Sequence, residues 1–153
     1  MFKKILLFLA LVLVVVQFIH PEKNTTSRPQ PDDIFALQPA PDGIRVAIEH
    51  ACYDCHSNHT RYPWYAQIQP VGWWLARHIN TGKDHLNFSE FGRYGAKRGA
   101  RKLEQATEQI QDGSMPLSSY TLIHRDARFT PEQKKQILEW LDAIQERVEA
   151  TAR

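Results

Sequence analysis

Cysteine is scarce in this chain: 153 residues contain two. Two cysteines cannot build the disulfide framework of a small secreted scaffold. Neither lies near the N-terminus, so no lipid is attached there through sulfur. Methionine is equally rare, and beyond Met1 only Met115 remains. Net charge is almost absent, since 19 Lys and Arg against 17 Asp and Glu leave +2. That is too little for an argument in favour of nucleic acid. No strand pattern, no internal repeat and no βαβ alternation stands out. A thioredoxin-like or repeat architecture is therefore not expected, and an all-α domain is.

Both cysteines fall in one short stretch, Cys52-Tyr53-Asp54-Cys55-His56. This reads C-x-x-C-H, the attachment signature of a covalent c-type haem. Two thiols three residues apart on one turn can each add across a haem vinyl group. The next residue, His56, then falls under the iron as the proximal imidazole. One haem c is the cofactor this spacing predicts.

The N-terminal residues 1–19 read as a targeting segment. Lys3 and Lys4 precede an unbroken apolar run from Ile5 to Val16, extended by Phe18 and Ile19. The run is shorter than the ~20 apolar residues of a spanning helix. It is followed by His20-Pro21-Glu22 rather than by a small-residue cleavage site. An uncleaved transmembrane signal anchor is expected, with a cleaved signal peptide as the alternative. Either places the two lysines inside and exports the rest. The expected location is the bacterial inner membrane, single-pass, with the haem domain in the periplasm. Residues 20–41 hold five of the nine prolines and read as an extended linker that holds the domain away from the membrane.

The domain proper should span residues 42–150. Helices are expected over 42–51, 70–81, 100–112 and 130–150, with Gly82 and Gly113 as C-terminal caps. Pro70 suits a first helical turn. Thr130-Pro131-Glu132-Gln133 predicts a capping box, and Ile137, Leu141, Ile144 and Val148 make an apolar stripe. Residues 83–99 and 114–129 read as loops. Trp64 and Tyr65 are candidates to wall a haem. Arg93, Lys97, Arg98, Arg101 and Lys102 form a basic cluster, either solvated or available to redox partner proteins of the cell envelope or to haem propionates.

A haem iron held by one histidine has an open position. Met115, beside Pro116, is the expected distal ligand because a thioether suits low-spin iron. His124 is the rival, with His59, His78 and His85 behind it. At this level of detail the chain resembles a bacterial haem-binding domain family of membrane-anchored c-type cytochromes. The resemblance rests on CYDCHSNHTRYPWY, PVGWWLARHINTGKDHLNFSEF and DGSMPLSSYTLIH, and covers about residues 39–141. It implies thioether links at Cys52 and Cys55, axial ligation by His56, and Met115 as second ligand by position. The expected fold is a small cytochrome c-like helical domain around the haem, and the expected function is one-electron transfer without catalysis. A haem enzyme or gas sensor would need a displaceable distal ligand, with His59, His78 or Arg77 as distal groups. A zinc module would need Cys52 and Cys55 plus two of His50, His56 and His59, and a thiol-redox module would use the cysteines alone.

Overall fold

A computed structural model describes residues 1–28 and 30–151. Among these residues the elements are helical, with a lone bridge between Thr25 and His59. Helix α1 runs Phe2–Val16, α2 Ile34–Leu37, α3 Asp42–Ala51 and α4 Tyr53–His56. Helix α5 is Val71–His85, α6 Ala96–Gln111, α7 Ser118–Ile123 and α8 Pro131–Ala150. Short 3-10 segments lie at Trp64–Gln67, Phe88–Arg93 and Arg125–Ala127. The expected all-α class is what the chain adopts.

The core forms where the apolar stripes of α6 and α8 meet. Leu103 and Ile110 of α6 face Ile137, Trp140, Leu141 and Ile144 of α8, all buried in one cluster. Each side chain removed from water in this way contributes about 2 kcal/mol. The start of α8 is fixed by the expected capping box: Gln133 N donates to Thr130 Oγ1, and Thr130 N donates to Gln133 Oε1. Gly113 follows α6 at φ +80°, the left-handed cap position that glycine occupies without strain. A second, smaller cluster joins Ala66, Leu75 and Ile79, with Cys55, Tyr62 and Tyr65 against it.

Several expectations change. Helix α1 is 15 residues long, a rise of about 22 Å against a hydrocarbon thickness of about 30 Å. Among the described residues no helix is long and apolar enough to cross a membrane, so the expected spanning anchor is not present as a spanning helix. The proline-rich segment does not stand away from the domain. Asn24 Nδ2 donates to Ser57 O and Thr60 Oγ1, Thr26 N donates to Asn58 O, and Ile34 and Phe35 enter the main core. Local composition favoured an extended chain, but the two apolar side chains of α2 supply a burial that outweighs it. Helix α5 continues through Gly82 to His85, and α6 begins at Ala96, so much of the expected loop between them is ordered. The later loop likewise contains α7.

Candidate functional site

The Cys52–His56 stretch is a turn of its own, offset from α3. Cys52 N still donates to Ile48 O, but its φ of −123° breaks the helix, and a new turn closes on its carbonyl. Cys55 N and His56 N both donate to Cys52 O, at 3.1 and 2.9 Å. Residues three and four apart in such a turn project to one side. Cys52 packs against the main core and Cys55 against the smaller one, so the turn bridges the two clusters. Burial pushes the Cys52 thiol up to about 12 and the Cys55 thiol up to about 11. Both stay protonated at neutral pH, the opposite of the depressed thiol that a disulfide shuttle uses.

His56 is held by the far end of α5. Its Nδ1 lies 2.9 Å from Leu86 O, an arrangement in which Nδ1–H donates and Nε2 keeps its lone pair. Burial holds the imidazole below its ordinary 6.5, opposed by the carbonyls of Leu86 and Gly82, while His85 and Lys102 add to the lowering. The ring is therefore neutral at neutral pH, the form that binds a metal. The unfolded chain binds that proton more readily than the folded one. Stability of the chain prepared without haem should thus be full above 6.5 and decline as the pH falls through that value. Urea unfolding at about pH 7.5 and about pH 5.5 measures this, and His56→Gln should flatten the difference. An unchanged difference in the variant would assign the dependence to other groups.

The two residues between the cysteines lock the turn. The Tyr53 ring stacks between Phe35 and Phe88, with centroids at 5.5 and 5.4 Å, and its hydroxyl donates to Asp33 Oδ1. Asp54 is 7% exposed and accepts from Arg61 N, Arg61 Nε and Nη2, and from Tyr120 OH at 2.7 Å. Burial and the Asp54 carboxylate push the Tyr120 phenol well up. Asp54 thereby ties the turn to α7. Gly82 allows α5 to approach, since a Cβ there would stand 2.6 Å from Cys55 O.

The remaining candidates are dispersed. Met115 is half-buried just after α6, with its amide donating to Gln109 O, and belongs to neither apolar cluster. No described contact brings it to His56. His124 stacks on Tyr120 at 4.3 Å, and its Nε2 is 2.8 Å from Tyr65 OH. His59 and His78 bond to the carbonyls of Thr26 and Trp74 through Nδ1, and His50 faces Asp126. Among the described residues no group of three or more His, Cys, Asp or Glu side chains converges as a metal site, so the four-ligand zinc alternative has no cluster to use. Trp64 is 77% exposed, whereas Tyr65 is half-buried beside Cys55. In the basic cluster, Arg93 pairs with Asp32 and Glu90, and Lys102 lies against the carbonyls of Asp84 and His85.

The sequence reading missed Asp54, Tyr120, Leu86 and the packing role of Gly82. One signal for the last was present: Leu75, Ile79, Gly82 and Leu86 are spaced four, three and four apart, so the helical face runs past the glycine.

A haem suits this donor set: a neutral imidazole with Nε2 to give, and two uncharged thiols on the same turn. No curated protein and no solved structure matches the chain. A family model described as a haem-binding domain matches residues 11–143, from within α1 to within α8. The chain belongs to this haem-binding domain family.

Proposed function

We propose that the chain carries one haem c, linked through thioethers at Cys52 and Cys55, and serves one-electron transfer in the bacterial cell envelope. The observation that carries this reading is the His56 geometry: Nδ1 engaged by Leu86 O, on the same turn as two protonated thiols. A bound haem supplies the ferrous/ferric couple. Leu86 O fixes the tautomer and ring plane of His56, and Asp54 and Tyr53 hold the turn against displacement. Met115 is the distal ligand in this reading, because His124 Nε2 is already committed to Tyr65. A closed axial pair leaves no position for substrate, so catalysis is not part of the role. Lys97, Arg98 and Arg101 are exposed on α6, whose Lys102 touches the end of α5 that holds His56. They offer a basic surface to an acidic redox partner.

The proposed location is the periplasmic face of the inner membrane, where c-type haem is attached. Helix α1 is exposed from Phe2 to Val15 and carries no charge after Lys4. Such a surface is satisfied by lipid rather than by water, and α1 is the proposed attachment to the membrane.

The test is the visible spectrum of the full chain made in a host with c-type haem maturation, oxidised and reduced. Sharp low-spin c-type bands are expected in the reduced form. Met115→Ala should keep the covalent haem, lower the reduction potential and admit carbon monoxide to the ferrous iron. An unchanged spectrum and potential would remove Met115 as ligand. A high-spin wild-type spectrum would turn the reading toward an enzyme or sensor.

A further inference from the structure

The first turn of α5 and the 3-10 segment before it expose apolar side chains that the haem reading does not use. Trp64, Ile68, Val71 and Trp73 are all exposed, and between Tyr62 and Ala76 the sequence holds no charged residue. This face is joined to the end of α1. Gln17 and Gln69 form a reciprocal pair: Gln17 Nε2 donates to Gln69 O at 3.1 Å, and Gln69 N donates to Gln17 Oε1 at 2.9 Å. Trp73 Nε1 donates to Ile19 O at 2.8 Å. The apolar helix therefore ends against the apolar face, with no spacer between them.

The face is also remote from the imidazole. His56 is held at the Leu86 end of α5, whereas Trp73 is in its first turn. Twelve residues of helix between Trp73 and His85 put them roughly 18 Å apart along the axis. Buried Leu75 and Ile79 occupy the side of α5 that turns toward Cys55.

We infer that the face of Trp64, Ile68, Val71 and Trp73 lies in the interfacial layer of the bilayer that receives α1. The domain then rests on the membrane instead of being tethered above it. Tryptophan suits that layer because its ring is apolar and its N–H is polar. Gln17 and Ile19 at the end of α1 bond directly to Gln69 and Trp73, so lipid that receives α1 up to that end meets the face as well. Exposed Arg77, one helical turn after Trp73 in α5, adds a positive charge that complements anionic headgroups. The inference rests on the reading of α1 as the lipid-inserted element.

The test uses the full haem-loaded chain in vesicles of phosphatidylethanolamine and phosphatidylglycerol doped with a diazirine-bearing phosphatidylcholine. After photolysis, lipid adducts are mapped by mass spectrometry. Adducts are expected in α1 and in the 64–73 peptide, with none on Gln136 and Glu139 of α8. Trp64→Gln with Ile68→Gln should abolish label in the 64–73 peptide and leave that in α1. Label confined to α1 in the wild type overturns the inference and leaves the anchor standing. Label in the 64–73 peptide without label in α1 removes the anchor and overturns the inference, which places both in one bilayer. Label in neither overturns both.

Discussion

Asp54→Ala should cost about 3 to 4 kcal/mol of folding stability, the range for breaking one side of a buried charged network. The carboxylate is buried and receives the Arg61 backbone amide, two Arg61 guanidinium nitrogens and the Tyr120 hydroxyl. Alanine removes these carboxylate acceptors at once and strands the Arg61 amide, while the Tyr120 hydroxyl keeps only its longer bond to His50 O, at 3.2 Å. The Arg61 side chain is about half exposed, so water rescues part of its loss, which is why the upper end of the range is not exceeded. Asp54→Asn keeps the shape and one acceptor, and should cost roughly half as much. Denaturant unfolding of the haem-loaded protein gives the totals. Hydrogen exchange should locate the damage: α7 amides lose protection first, because Tyr120 is the side chain of α7 that reaches the motif turn. If the alanine variant loses less than about 1 kcal/mol, solvent carries these bonds and Asp54 is not the tie between the turn and α7.

Gly82→Ala should destabilise by about 2 kcal/mol, although alanine is the better helix former. Two effects compete. Alanine in a helix interior gains up to ~1 kcal/mol over glycine. Against this, its Cβ would stand 2.6 Å from Cys55 O and 3.3 Å from Cys55 Cβ. Overpacking of this kind costs about 1 to 3 kcal/mol and sometimes more. The obstacle is backbone, so the strain is relieved only by moving the turn or the helix. Either movement separates Leu86 O from His56, and the fraction of chain carrying covalent haem should fall with stability. Gly43→Ala is the matching control. It also lies in a helix, but its Cβ meets nothing within 4 Å, so the variant should be neutral or more stable by up to ~1 kcal/mol. Equal behaviour of the two variants would mean that α5 has room to retreat and that the close approach is not needed.

The elements legible in the sequence share one property: their cause lies within a few residues. The Thr130 to Gln133 box, the α8 stripe, the cap at Gly113 and the C-x-x-C-H turn all depend on contacts between residues i and i+4. Gly82 shows where that logic fails. A glycine after an apolar helical run looks like a C-cap. The same residue here continues the helix, because the missing side chain is needed by Cys55, 27 positions away. Proline density predicted an extended spacer at residues 20–41. Only packing shows that Ile34 and Phe35 complete the core and that Asp33 receives the Tyr53 hydroxyl. Trp64, a candidate to wall a haem, is mostly exposed in the folded chain, a placement that no local spacing encodes.

By itself the sequence determined an all-helical chain, the short turn that gathers Cys52, Cys55 and His56, the cap and stripe of α8, and an apolar N-terminal helix. Each follows from backbone periodicity and residue chemistry over one or two turns. Tertiary structure alone decided which nitrogen of His56 is engaged, through a carbonyl 30 residues away, and which carboxylate ties the turn to α7, through a hydroxyl 66 residues away. It also decided that the end of α1 meets an uncharged tryptophan face. Such contacts depend on where separate helices come to rest, and that is set by the burial of whole faces, which no local spacing encodes.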